Sequence, residues 1–192
     1  PKDVPDQRVK KLGVLGAGMM GAGSALVSAQ AGIEVVLIDR DQEAADKGKA
    51  YTETYLDKGM KRGRVTAEKK EAMLGLITAT PDLDQLKGCD LIIEAVFEDP
   101  GVKAEMTKKV EAIISEDCIF ASNTSTLPIT DLAKASSRPE QFIGIHFFSP
   151  VEKMLLVEII KGKETGGRAV AKSLDDVRQL RKTPIVVHDA RF

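Results

Sequence analysis

Residues 10–23, KKLGVLGAGMMGAG, decide how the rest of the chain is read. A short apolar run ends at Leu15, glycines follow at positions 16, 18 and 21, and residues 19 to 31 carry a helical pattern. A second apolar run, IEVVLID, ends in Asp39, eighteen residues past Gly21. Strand, glycine turn, helix and strand in that order form a βαβ unit, because parallel neighbours need a crossover between them. Working outward, DLIIEAV, CIFASN, QFIGIHFF, MLLVEII and TPIVVHD are five further strand candidates, and LITAT is a weaker one. Helical segments, notably 99 to 116 and 167 to 181, fill most of the gaps. The alternation predicts an α/β fold with a mostly parallel sheet covered on both faces.

One interval breaks the rhythm. Residues 41 to 75 are too long for a single crossover helix and are rich in lysine and glutamate. GMKRGR supplies a turn and Thr66 is placed to cap a second helix, so the segment is expected to be an inserted helical hairpin projecting from the sheet. Its charge fits a solvated surface, and it fits a ligand contact as well.

Each part of the glycine loop has a physical task. Gly16 permits the tight turn, Gly18 lets the backbone approach a pyrophosphate, and Gly21 lets helix and strand pack closely. The helix start offers unpaired N–H groups to an anion. Asp39 is placed to accept hydrogen bonds from the adenosine ribose and to repel a 2′-phosphate, which favours NAD over NADP. Arg40 beside it pulls the other way, since an arginine there can hold that phosphate. A structural glycine turn alone would not need all four features in register. The loop therefore points to dinucleotide binding on a Rossmann-like, doubly wound sheet.

Composition narrows the remaining classes. At 192 residues the chain can bury one core, or at most two small ones. The net charge of -1, aromatic content of 4% and absence of tryptophan give no footing for nucleic acid. No apolar stretch approaches the roughly 18 residues of a membrane span, and the polar start is no signal peptide. A cytoplasmic, reducing location is the default expectation. Cys89 and Cys118 are too few for a disulfide framework or a zinc site, so both are read as reduced packing residues and no metal is expected. Residues 1 to 8, with two prolines, read as a linker into a domain spanning 9 to 192. The start at Pro1 and the abrupt stop at VVHDARF suggest a piece of a longer protein.

Two polar residues interrupt the last apolar runs. Strand alternation puts His146 on one face with Phe142, Gly144 and Phe148, and Glu158 on a face with Leu156 and Ile160. A reversal centred on Val151 would set His146 opposite Leu156, with Glu158 the diagonal neighbour about 7–8 Å away. An unpartnered buried carboxylate or imidazole is costly, so the two are expected to bond to each other. Such a pair serves structure, and it also serves proton transfer, with the carboxylate fixing the tautomer of the ring. The ASNTSTLP stretch, 121–128, follows a strand where open α/β sheets bind ligands, although its hydroxyls would equally cap the helix after it.

Together VLGAGMMGAG, VVLIDRD, LIIEAVFEDPGVK, FASNTSTLPIT, GIHFFSP and LVEII resemble the NAD-binding domain of the L-3-hydroxyacyl-CoA dehydrogenases of fatty acid β-oxidation, over residues 9 to about 188. HFFSP and the linker-like start are similar to the dehydrogenase module of the multifunctional β-oxidation enzymes, where it follows an enoyl-CoA hydratase module. The resemblance implies that His146 removes the proton from the 3-hydroxyl as hydride passes to NAD, with Glu158 orienting the ring. It implies that Ser125 bonds the reacting oxygen and lies against the cofactor. Met20 and Asp39 match cofactor contacts, as do Val96, Phe97, Glu98 and Lys103 on the nicotinamide side. Ser149 stands where single-function members often carry an asparagine that contacts the nicotinamide. Lysines of the 41–75 hairpin match a feature beside the acyl-CoA cleft. Ser24 departs from the family's bulky aliphatic. The resemblance further implies a helical C-terminal domain, absent from this chain, that completes the cleft, supplies a catalytic asparagine and makes an oligomer at full length. A β-hydroxyacid dehydrogenase acting on a sugar acid and a non-catalytic dinucleotide-binding module are the competing readings.

Overall fold

The structure is a computed structural model that describes residues 8–189. The expected linker, 1 to 8, lies outside the described residues except for Arg8. The βαβ unit that opens the domain consists of β1 (Lys11–Leu15), α1 (Met19–Gln30) and β2 (Glu34–Ile38). A helical pair, α2 (Gln42–Lys61) and α3 (Ala67–Gly75), leads to β3 (Ile77–Thr80). Then come β4 (Leu91–Glu94), α4 (Pro100–Glu111), β5 (Ile119–Ser122), the one-turn helix α5 (Ile129–Leu132) and β6 (Phe142–Phe147). The last described elements are β7 (Leu156–Lys161), α6 (Gly167–Gln179) and β8 (Thr183–His188).

These eight strands form one sheet in the order β3-β2-β1-β4-β5-β6-β7-β8. Strands β1 to β6 run parallel, β7 is antiparallel to β6, and β8 is parallel to β7. The order reverses between β1 and β4. In open α/β sheets that reversal leaves a crevice at the carboxyl ends of the strands, where ligands bind.

The apolar runs that read as strands bury alternate residues on opposite faces. Val35 and Leu37 of β2 join one cluster with Ala25 of α1 and Val177 of α6. Val36 and Ile38 join the other, with Val110 of α4 and Leu132 of α5. A sheet covered on both sides needs such unbroken hydrophobic strands. The weak strand candidate LITAT is present as the edge strand β3, paired with β2.

The hairpin at 41 to 75 is also present. Asp41 caps α2 by accepting from Ala44 N at 2.8 Å, and Thr66 caps α3 by accepting from Lys69 N at 3.1 Å. Lys70 of α3 reaches back to Asp57 of α2 at 2.6 Å. Ala45, Gly48, Thr52 and Leu56 bury one face of α2, with Gly48 against Ala17 and Leu37, whereas no residue of α3 is buried, so α3 and not α2 stands clear of the sheet. Among the described residues no helix is long and apolar enough to cross a membrane.

Candidate active site at the carboxyl ends of the strands

Between β1 and α1 the chain turns where only glycine fits. Gly16 has φ 97°, and a side chain there would meet the carbonyl of Ala95 at 2.6 Å. At Gly21 a Cβ would stand 1.7 Å from the carbonyl oxygen of Gly16, so α1 and the loop touch backbone to backbone. Gly18, by contrast, would carry a Cβ that meets nothing within 4 Å. That leaves open space in front of a helix whose first turn has neither a side-chain cap nor an acidic residue. Uncapped N–H groups facing open space suit a pyrophosphate.

Asp39, just past β2, holds this loop in place. Its Oδ2 accepts from Ala17 N at 2.8 Å and its Oδ1 from Arg40 N at 2.7 Å. The Arg40 side chain is exposed and pairs with Asp41, with 3.6 Å between Nε and Oδ2. Met20 packs on the core at the start of α1. Ser24, one turn on, is buried and spends its hydroxyl on the Met20 carbonyl at 2.8 Å, so this departure from the family pattern leaves no orphaned donor.

His146 and Glu158 do meet, in a different register from the expected one. His146 lies directly opposite Glu158, not opposite Leu156. The β6–β7 connection runs through successive turns, and the observed register puts its pivot one residue beyond Val151. His146 Nδ1 stands 3.2 Å from Glu158 Oε1, with side chains 18% and 32% exposed. An ionised Glu158 accepts only, so Nδ1 carries the proton and Nε2 is left as the ring's acceptor. Phe148 leans on the imidazole with ring centroids 4.6 Å apart.

The connection between these strands is clamped from two sides. Lys182, nearly buried, donates to the carbonyls of Val151 at 2.7 Å and Met154 at 2.5 Å. Tyr51 of α2 donates to Glu152 Oε1 at 2.5 Å, and that hydrogen bond, with burial, pushes the phenol up to about 12. Ser149 Oγ lies 3.2 Å from Met19 Sδ, so the end of β6 reaches the start of α1.

The nicotinamide-side candidates follow β4 and β5. Val96 packs on the core, Phe97 is 81% exposed, and Glu98 accepts from Thr124 and Thr126 Oγ1 at 2.8 and 3.0 Å. Lys103 lies beneath that loop, with its ammonium buried between Glu94 and Glu98. Ser125 is exposed in the loop after β5. The Asn123 side chain ties that loop to β6, accepting from Phe147 N at 3.2 Å. The Thr124 hydroxyl accepts from Leu127 N at 3.0 Å while Pro128 starts α5 without a side-chain cap. Hydroxyls of ASNTSTLP therefore shape the loop without capping the helix.

Glu94, Asn123, Tyr51 and Lys182 are not singled out by the sequence pattern. Glu94 nevertheless carries the signal that picks out His146, a polar residue inside an apolar strand. Burial pushes both thiols, Cys89 and Cys118, up to about 12, so neither is a nucleophile at neutral pH. Among the described residues no group of His, Cys, Asp and Glu could hold a metal ion.

A glycine loop at the switch point, an acidic residue closing the second strand and a polar pair at the far end of the crevice define a dinucleotide-binding domain of the dehydrogenase kind. The chain belongs to the 3-hydroxyacyl-CoA dehydrogenase NAD binding domain family, whose model matches residues 11–190. It is 46% identical over 183 residues to the fatty acid oxidation complex subunit alpha of Idiomarina loihiensis, covering 95% of this chain and 26% of that protein. It is 44% identical over 179 residues to the probable 3-hydroxybutyryl-CoA dehydrogenase of Deinococcus radiodurans, covering 93% of this chain and 64% of that one. The crystal structure of FadB2 from M. tuberculosis superposes with a TM-score of 0.91 at 35% identity, over 95% of this chain and 65% of that structure. The chain thus spans about a quarter of the larger relative and just under two thirds of the shorter ones. NAD is the cofactor of this domain.

Proposed function

We propose that the protein carrying this chain oxidises L-3-hydroxyacyl-CoA to 3-oxoacyl-CoA in fatty acid β-oxidation. The His146–Glu158 pair, set face to face across β6 and β7, carries the reading. NAD, when bound, supplies the acceptor for the hydride that leaves C3. His146 Nε2 takes the 3-hydroxyl proton as the carbonyl forms, and Glu158 holds the imidazolium that results. Ser125 donates a hydrogen bond to the same oxygen. Gly16, Gly18, Met20 and Gly21 hold the pyrophosphate, Asp39 the adenosine ribose, and Val96, Phe97, Glu98 and Ser149 line the nicotinamide side, with Lys103 supporting them. Exposed lysines of the α2–α3 pair face CoA phosphates.

The relatives' greater lengths support further parts on the full-length polypeptide; the family resemblance makes these a helical domain after this one that completes the cleft and pairs the subunits, and an enoyl-CoA hydratase module before it. A cytoplasmic location fits two buried, reduced cysteines. The test is acetoacetyl-CoA reduction by NADH with the full-length polypeptide. His146→Ala is expected to lower kcat by about 10²–10⁴-fold while NADH binding persists. Unchanged turnover would remove His146 from the chemistry.

A further inference from the structure

At the carboxyl end of β4 lies a group of charges that neither the glycine loop nor the His146–Glu158 pair uses. Glu94 is the last residue of β4, and Lys103 is on the first turn of α4; both are buried, at 0% and 1% exposed. Lys103 Nζ is 2.6 Å from Glu94 Oε2 and 3.3 Å from Glu98 Oε1. Glu94 is otherwise satisfied: Oε1 accepts from Ser122 Oγ at 2.7 Å, and Oε2 from Val96 N at 3.0 Å. Glu98, 41% exposed, turns its other oxygen to Thr124 and Thr126. Burial alone would raise its carboxyl, but those two hydroxyls and Lys103 outweigh it and hold the group below the usual carboxylate range. One ammonium therefore faces two carboxylates, and the exposed carboxylate belongs to the loop beside the crevice.

Stability does not require this arrangement. A buried ion pair generally contributes no more than a well-packed apolar pair of similar volume, whereas removing one partner is strongly destabilising. Its position suggests a different use. With adenosine at Asp39, a dinucleotide laid across the switch point has its nicotinamide on the β4–β5 side. The ring is a cation when oxidised and neutral when reduced. A fixed charge near a partly dry crevice acts several-fold more strongly than in water. If Glu94 were neutral, Lys103 would cancel Glu98. Because Glu94 neutralises Lys103 from below, the charge of Glu98 stays uncompensated.

We propose that Glu94, without touching the cofactor, sets its redox-state selectivity: the Glu94–Lys103–Glu98 cluster keeps one excess negative charge beside the nicotinamide side and so favours the oxidised form over the reduced one. This rests on the placement of the nicotinamide given under the proposed function.

The test measures Kd for NAD⁺ and NADH separately on the full-length protein, by calorimetry, for wild type, Glu94→Gln and Glu98→Gln. Glutamine at 94 can present its carbonyl to Lys103 and Val96 N while its amide donates to Ser122 Oγ. Each variant is expected to weaken NAD⁺ relative to NADH on the order of tenfold or somewhat less. A purely structural tie would weaken both forms by the same factor, and an unchanged ratio would overturn the proposal. Should Glu94→Gln melt below the assay temperature, Glu98→Gln, half-exposed, applies the same charge test, and an unchanged ratio there also overturns it. Wild type binding neither form would instead overturn the cofactor placement itself.

Discussion

Asp176 offers the sharpest quantitative test of the fold. It lies in the last turns of α6, wholly buried, and neither carboxylate oxygen has a hydrogen-bond partner. Burial pushes its carboxyl up to about 7 from an ordinary 3.8, with Lys172 one turn away pulling weakly the other way. A negative charge near a helix C-terminus gains nothing from the dipole either. The sign follows from linkage. Between about pH 4 and 7 the folded state holds a proton that the unfolded state has lost, so stability falls as pH rises through that window and levels off above it. Each pH unit in the window corresponds to about 1.4 kcal/mol, so wild type loses roughly 3 kcal/mol between pH 5 and pH 8.5 through this one group. Asp176→Asn keeps the shape and removes the charge. Urea unfolding at both pH values, on wild type and variant, gives four free energies whose double difference cancels every other titrating group. The variant should gain about 3 kcal/mol more relative to wild type at pH 8.5 than at pH 5. A double difference near zero would mean that Asp176 is not buried as a proton-binding group.

Two further outcomes follow from the glycine loop. Asp39→Ala removes the acceptor for Ala17 N as well as the ribose partner, so it should weaken both dinucleotides in a fluorescence titration, and NADH more than NADPH. Equal weakening would leave Asp39 as a tether only. Gly21→Ala drives a methyl into the Gly16 carbonyl, which should cost about 1–3 kcal/mol or more, lower the melting temperature by several degrees and abolish NADH binding; a variant that melts and binds like wild type would contradict the close contact of helix and loop.

Much of this was legible because the residues concerned act locally. Gly16 and Gly21 are required by backbone geometry within one βαβ unit, and Asp39 closes that unit's second strand. Strand alternation put His146 and Glu158 on usable faces. Their register was not legible, since it depends on the path of residues 148–155, and no side-chain pattern encodes how many residues a turn consumes. The same limit applies to Lys103. In sequence it is one lysine on a charged helix, and only the arrival of β5 and the β4 loop above it makes it a buried cation. Asp176 fell in a helix with the expected span, yet its burial comes from where α6 lands on the sheet.

The antiparallel turn into β7 gives the histidine–glutamate pair a length standard. Both members come from one hairpin, twelve residues apart, and Lys182 and Tyr51 hold the turn between them in place. One residue inserted there would point the carboxylate through the sheet to the opposite side, and two would restore the side but separate the pair along the strand. The far end of the helical pair, residues 60–75, carries no such restriction, because no residue of α3 is buried and the α2 residues that meet Glu152 and the glycine loop, Tyr51 and Gly48, lie in the first half of α2. Divergence among chains of this kind should therefore be written in the length of that projection, with the interval from histidine to glutamate held constant.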